Sequence, residues 1–138
     1  MDTDKKGLAI IFHSGSFDRV YHGLSIALAA LALGREARFF FTYWALKYLK
    51  RDKSLFFELD AEGREEKEIL ERNIKKGHIQ NIFEIIAQAK KMGGKIYVCT
   101  NSMGLLNISR DEFIDEVDKS MGITTFLSET ANDHILFI

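Results

Sequence analysis

The chain has one cysteine, Cys99, and the segment Cys99-Thr100-Asn101-Ser102-Met103 holds the residue types most able to do chemistry. A thiolate is the reactive form of cysteine, and the start of a helix favours its negative charge. Cys99 follows the apolar run Ile96-Tyr97-Val98 and precedes a predicted helical turn over 101–105. The backbone N–H groups of Asn101 and Ser102, with the hydroxyls of Thr100 and Ser102, are placed to donate to such a thiolate. The alternative is an inert cysteine packed as a small hydrophobe. Position alone leaves both open.

A second set of polar residues lies near the start, in His13-Ser14-Gly15-Ser16-Phe17-Asp18. His13 is of the type that pairs with a thiolate or shuttles a proton, although a satisfied loop histidine is the commoner case. Ser14, Gly15 and Ser16 have backbone N–H groups that an anion at a helix start would use. Ser16 or Asp18 as a plain helix cap is the competing reading. The segment has neither the G-x-G-x-x-G nor the G-K-[ST] phosphate pattern, and no G-x-S-x-G nucleophile turn occurs. His22, His78 and His134 are scattered, and no Cys-x-x-Cys or His-x-x-x-His spacing exists. Neither a metal site nor a cofactor is expected.

These residues need elements to hold them. The continuous apolar run over 7–12 predicts a buried parallel strand. Leu24, Ala27, Leu28 and Leu31 at helical spacing predict a helix that Gly34 ends. Residues 37–41 predict a second strand, which completes a β-α-β unit. A short apolar helix is expected over 42–49, a solvated charged helix within 51–76, and an amphipathic helix over 81–92 that Gly93-Gly94 stops. Residues 95–98 predict the third strand. Ser109 with Glu112 reads as a capping box for a helix through Lys119, with Phe113, Ile114 and Val117 facing inward. Residues 123–127 predict a short strand, 128–132 a helical turn, and 134–138 a last strand. The expected fold is α/β, a five-stranded mostly parallel sheet with helices on both faces, in one domain over 1–138.

In an open parallel sheet, ligands bind beyond the carboxyl ends of the strands. That rule selects the loop from His13 to Asp18, the loop Thr42-Tyr43-Trp44 and the loop from Cys99 to Met103. If the first strand neighbours the third, the first and last of these meet. The run Phe39-Phe40-Phe41 with Tyr43-Trp44 is more apolar surface than one face of a small domain easily hides, which predicts a subunit interface.

Composition bounds the function. Over 138 residues the net charge is -1, which gives no basic excess for nucleic acid. The longest apolar run, 26–33, is far short of the roughly 20 residues a spanning helix needs, so no membrane span is expected. The polar residues 1–6 and the brief run after them predict no secretory signal. One cysteine allows no internal disulfide, and a reducing cytoplasm is the expected location.

Taken in order, three motifs resemble the DsrE/DsrF-like sulfur-relay family, in the branch often described as peroxiredoxin-like or oxidoreductase. They are Ser14-Gly15-x-Phe17-Asp18-Arg19, then Phe40-Phe41-Thr42-Tyr43-Trp44-Ala45-Leu46, then Cys99-Thr100-Asn101-Ser102-Met103. The closing run to Leu136-Phe137-Ile138 extends the resemblance to nearly the whole chain. The resemblance implies a persulfide carrier: the family cysteine carries over to Cys99, sulfane sulfur passes to a partner thiol such as a TusA-like carrier, and the protein assembles as an oligomer. Thr100, Asn101, Ser102 and Gly15 would then stabilise the anion and Met103 would form an apolar wall, with His13, Asp18, Ser14 and Thr42 in support. Two features depart from the branch: the charged stretch 51–76, and the absence of the second cysteine some members carry.

The leading expectation is therefore sulfur transfer through Cys99. A second is a non-enzymatic binding subunit, in which the same loops hold a small anion or nucleotide and Cys99 is structural. A third and weaker one is a peroxidase-type oxidoreductase, which lacks a resolving cysteine within the chain.

Overall fold

A computed structural model of the chain describes residues 5–52, 58–60, 62–77 and 79–138. His78, residues 1–4, and residues 53–57 and 61 of the charged stretch lie outside the described residues. Strands β1 (Leu8–Phe12), β2 (Ala37–Phe41), β3 (Lys95–Cys99), β4 (Lys119–Met121) and β5 (His134–Phe137) form one sheet in the order β4-β3-β2-β1-β5. Every pairing is parallel, with Ile10 opposite Phe39, Phe39 opposite Ile96, Cys99 opposite Met121 and Ile11 opposite Phe137. The expected α/β class with five strands holds. The order corrects one expectation: β2 lies between β1 and β3, so the loops after β1 and β3 are not neighbours.

Alternation along the strands gives the sheet two faces. Leu8, Ile10, Phe12, Phe39, Phe41, Ile96 and Val98 share the larger core with helices α1 (Phe17–Ala32) and α3 (Ile82–Lys91). Ala9, Phe40, Tyr97, Cys99 and Met121 point the other way and pack with Phe126 of α5 (Ile123–Glu129). The two faces explain why three consecutive phenylalanines need no subunit interface to hide them: Phe39 and Phe41 fill one core, Phe40 the other, and all three are fully buried.

Helix α1 presents Val20, Leu24 and Ala27 to the sheet, and Gly34 follows it in the left-handed region at φ +81°, where glycine carries no Cβ penalty. Residues Tyr43–Leu49 form a 3-10 helix rather than an α-helix, burying Ala45, Leu46, Tyr48 and Leu49. The charged stretch contains α2 (Lys67–Lys75), of which only Ile74 is buried, as a solvated helix requires.

The C-terminal third departs from expectation in two places. The Ser109/Glu112 capping box forms, but it opens only a 3-10 turn, Arg110–Glu112. The chain then extends because its backbone is taken by residues 49–51: Arg51 N–H donates to Glu112 O at 2.8 Å and Ile114 N–H to Leu49 O at 2.8 Å. Those tertiary bonds replace the bonds a helix through Lys119 would make. Phe113, Ile114 and Val117 still face inward. Residues 123–129 are helix α5, not strand, and the strand is the preceding Lys119–Met121. Strand propensity in Ile123-Thr124-Thr125 yields to packing, since α5 places Phe126 flat on Phe40 at 4.6 Å between ring centroids.

Candidate functional site

Cys99 ends β3 and is the N-cap residue of α4 (Thr100–Leu105). Its Sγ accepts the backbone N–H of Ser102 at 3.5 Å. The residue is 6% exposed and packs among Phe40, Tyr97, Met121 and Phe126 on the less covered face. Ser102 is fully buried, and its Oγ has no hydrogen-bond partner among the described residues. Thr100 and Asn101 are exposed. Met103 packs with the larger core, so the thioether beside Cys99 is that of Met121, its partner across β4. The pleat gives the reason: position 121 lies opposite position 99, and opposite residues share a face.

The first loop is built separately from Cys99. Its backbone donors are largely committed within the fold. His13 and Ser14 N–H both donate to Ile138 O at 2.7 and 3.1 Å, Ser16 N–H to Ser14 Oγ at 3.0 Å, and Phe17 N–H to Glu58 O at 2.7 Å. Of the expected cradle of Ser14, Gly15 and Ser16 amides, the first and last are therefore already taken within the fold. Ser16 is the N-cap residue of α1 but makes no side-chain cap bond. Its hydroxyl instead accepts the Asp60 N–H at 3.0 Å and donates to Asp18 Oδ1 at 2.5 Å. Arg19 Nε donates to Asp60 Oδ2 at 2.8 Å, which anchors 58–60 on this loop. That hydrogen bond, more than charge, holds the Asp60 carboxyl below its usual range, and the same contact raises the Arg19 guanidinium.

Thr42 is buried, and its Oγ1 donates to Phe12 O at 2.9 Å, tying β2 to β1 at their carboxyl ends. Tyr43 follows in a positive-φ conformation at +43°, an uncommon one for a bulky residue and a marker of local constraint. Its ring lies 5.0 Å from the His13 ring, and His13 lies 5.6 Å from Phe137. His13 thus sits in an aromatic row across the ends of β5, β1 and β2. Among the described residues no hydrogen bond joins His13, Ser14, Gly15 or Asp18 to Cys99.

What the first two loops line is a cleft of about 690 Å³ between Ser14-Gly15-Ser16, the 3-10 helix, residues 58–60, and Leu106 and Ile108 beyond α4. Tyr48 Oη donates to Gly15 O at 2.7 Å below it, and burial pushes that phenol well above the ordinary tyrosine range. Sequence reasoning missed Lys47, Lys50, Leu106 and Ile108 as lining residues. Lys47 falls within a stretch, 42–49, marked only by its apolar residues, Lys50 falls just past its end, and nothing in Leu106 or Ile108 marks a cleft. Among the described residues no group of acidic, histidine and cysteine side chains could hold a metal ion. No described helix is long and apolar enough to cross a membrane.

Comparison with known proteins adds the relatives. The profile of the DsrE/DsrF/DrsH-like family matches residues 4–65 and 58–137. The chain is 25% identical to the sulfur carrier protein DsrE2 of Allochromatium vinosum, over 98% of this chain and 99% of that protein. It is 23% identical to the uncharacterized protein YrkE of Bacillus subtilis, over the full length of both. Among solved structures it resembles the ychN protein of E. coli, with a TM-score of 0.71 at 13% identity, over 97% of this chain and 100% of that one. It also resembles MTH1491 of Methanobacterium thermoautotrophicum, a protein of unknown function, with a TM-score of 0.63 at 12% identity over the same shares. At those identities the structural likeness speaks for the fold.

Proposed function

The chain belongs to the DsrE/DsrF/DrsH-like family, and from that membership we propose that it is a sulfur carrier whose Cys99 holds sulfane sulfur as a persulfide. The observation that carries this reading is the Ser102 N–H aimed at Cys99 Sγ at 3.5 Å. An N–H donor stabilises a sulfur anion more than a neutral thiol. In the forward step, the Cys99 thiolate attacks the outer sulfur of a donor R–S–SH. A Cys99–S–SH bond forms, the donor S–S bond breaks, and R–S⁻ leaves. A partner thiolate then attacks the outer sulfur, takes it as its own persulfide, and returns Cys99 to the thiolate. No external oxidant or reductant is consumed. Neither step uses a second cysteine of this chain.

Partners follow from the same reading. The acceptor is a thiol on another molecule, a small TusA-like carrier being the type expected. A second copy of this chain would cover Ile135, Phe137 and Leu127, which stand exposed beside the Cys99 face.

A second reading rests on a specific observation. Cys99 is 6% exposed and lies outside the cleft. A structural cysteine beside a binding cleft fits that burial, whereas transfer requires the side chains packed around Cys99, Phe126 of α5 among them, to move and uncover Sγ. Mass spectrometry after incubation with polysulfide separates the two. Sulfur addition on Cys99 of the native protein, absent in Cys99→Ser, supports transfer. No addition, with a known carrier loaded in parallel, overturns it.

A further inference from the structure

We propose that the cleft at the carboxyl ends of β1 and β2 is a ligand site separate from Cys99 and takes a small amphipathic monocarboxylate: an apolar body with one anionic head. This inference does not depend on the sulfur chemistry.

Size comes first. A volume of about 690 Å³ lies within the range of small-molecule sites, roughly 300–1,000 Å³. The walls are mostly apolar, with Leu46, Leu59, Leu106 and Ile108 on the inside and Trp44, 55% exposed, at the lip. Such walls suit an aliphatic or aromatic body rather than a sugar or a polyphosphate.

The charges select the head. Four charged side chains line the cleft: Lys47, Lys50, Glu58 and Asp60. Lys47 Nζ is bonded to Glu58 Oε2, and Asp60 is held by Arg19 outside the cleft. Lys50 forms no ion pair among the described residues, so one positive charge is left for the occupant. Ser14 adds a donor. Its Oγ accepts the Ser16 N–H, and its own proton has no acceptor among the described residues. An ammonium and a hydroxyl among the lining groups of one apolar cleft match a single carboxylate, through one charge-assisted bond and one neutral bond. A cationic head would meet Lys50, and a dianion would exceed the charge available.

The chain carries its own reporter. Trp44 is the only tryptophan, and it stands at the lip, so its emission reads occupancy directly. Decanoate, added below its micelle concentration to the full-length protein, is expected to shift Trp44 emission saturably, with a dissociation constant in the micromolar range. Decylamine at the same concentrations is expected to leave it unchanged. Lys50→Gln should weaken decanoate about tenfold, and Lys50→Glu should exchange the preference toward decylamine. Both substitutions are at a partly exposed side chain, and circular dichroism checks the fold. Cys99→Ser should bind as the parent does, which separates this site from the sulfur reading. Absence of a saturable shift with decanoate overturns the proposal. So does equal affinity for decylamine, or undiminished binding in Lys50→Gln.

Discussion

Cys99 and Met121 stand opposite each other on β3 and β4, both nearly buried, with their sulfur-bearing side chains on the same face of the sheet. The thiol shares a small buried core with Phe126, Tyr97 and Phe40. A reaction at Sγ therefore calls for a change in how this small core, α5 included, packs on the face. The burial gives a kinetic expectation. Alkylation of Cys99 by iodoacetamide should be slower in the native protein than in denaturant by about tenfold or more, and faster in a Phe126→Ala variant. Equal rates in native and denatured protein would show that the thiol is already open.

Ser102 offers a clean separation of structure from chemistry. Its hydroxyl is buried with no partner among the described residues, which costs stability rather than adding to it. Ser102→Ala is expected to leave the urea midpoint unchanged or to raise stability by up to about 1 kcal/mol. If sulfur loading on Cys99 drops in the same variant, the hydroxyl acts on the persulfide. If loading is unchanged, the backbone N–H of residue 102 suffices.

Gly23 sits on α1 where β1 comes close. A Cβ there would lie 2.5 Å from Phe12 Cε1 and 2.8 Å from Ile138 Cδ1. Phe12 cannot retreat, because it is fully buried and stacked on Phe41 at 4.6 Å. Alanine would gain about 1 kcal/mol of helix propensity, against an overpacking cost of about 1–3 kcal/mol. Gly23→Ala should therefore be destabilised on balance, by up to about 2 kcal/mol, read from the denaturant midpoint at constant slope.

Tyr48 predicts an alkaline limit. Burial first, then the charges of Glu58 and Asp18, raise its pKa above the ordinary 10.0. The phenol keeps its proton longer in the folded state than in the unfolded chain. The resulting stability is complete below the unfolded value near pH 10 and declines as pH rises above it toward the folded value. Tyr48→Phe should flatten part of that decline between pH 9 and about 11. At neutral pH it should cost about 0.5–1.5 kcal/mol for the lost bond to Gly15 O. Tyr21 and Tyr97 are shifted the same way by burial, so some decline persists in the variant.

Phe137 is 70% exposed at the end of β5, with Ile135 exposed on the same face. If a second copy covers this face, Phe137→Asp should shift the sedimentation of the protein toward the monomer and leave its thermal midpoint within a few degrees. An unchanged sedimentation coefficient would remove Phe137 from any contact between copies.

Much of the architecture is determined by local pattern. Leu8–Phe12, Phe39–Phe41 and Ile96–Val98 are unbroken apolar runs, with Arg38 and Lys95 only at the starts of β2 and β3, so only a sheet covered on both faces accommodates them. Gly34 and Gly93 end their helices because each takes a positive φ that other residues resist. The position of Cys99 at a strand-to-helix junction follows from the same local pattern, and so does the family resemblance of the motifs around it.

Tertiary structure decided what those residues face. Strand order is set by non-local pairing, and it placed β2 between the loops that sequence spacing brought together. The weak three-residue strand β4 and helix α5 exist because β3 needs an edge partner and Phe40 needs a cover, and neither demand is written in their own propensities. The helix expected after Ser109 lost to backbone bonds from residues 49–51, which lie far away in the sequence and leave no local signal. By the same logic Ser14 and Gly15 went to the cleft and Cys99 to the opposite face. Sequence determines which groups can react or bind, whereas the pleat and the strand order determine which of them share a space.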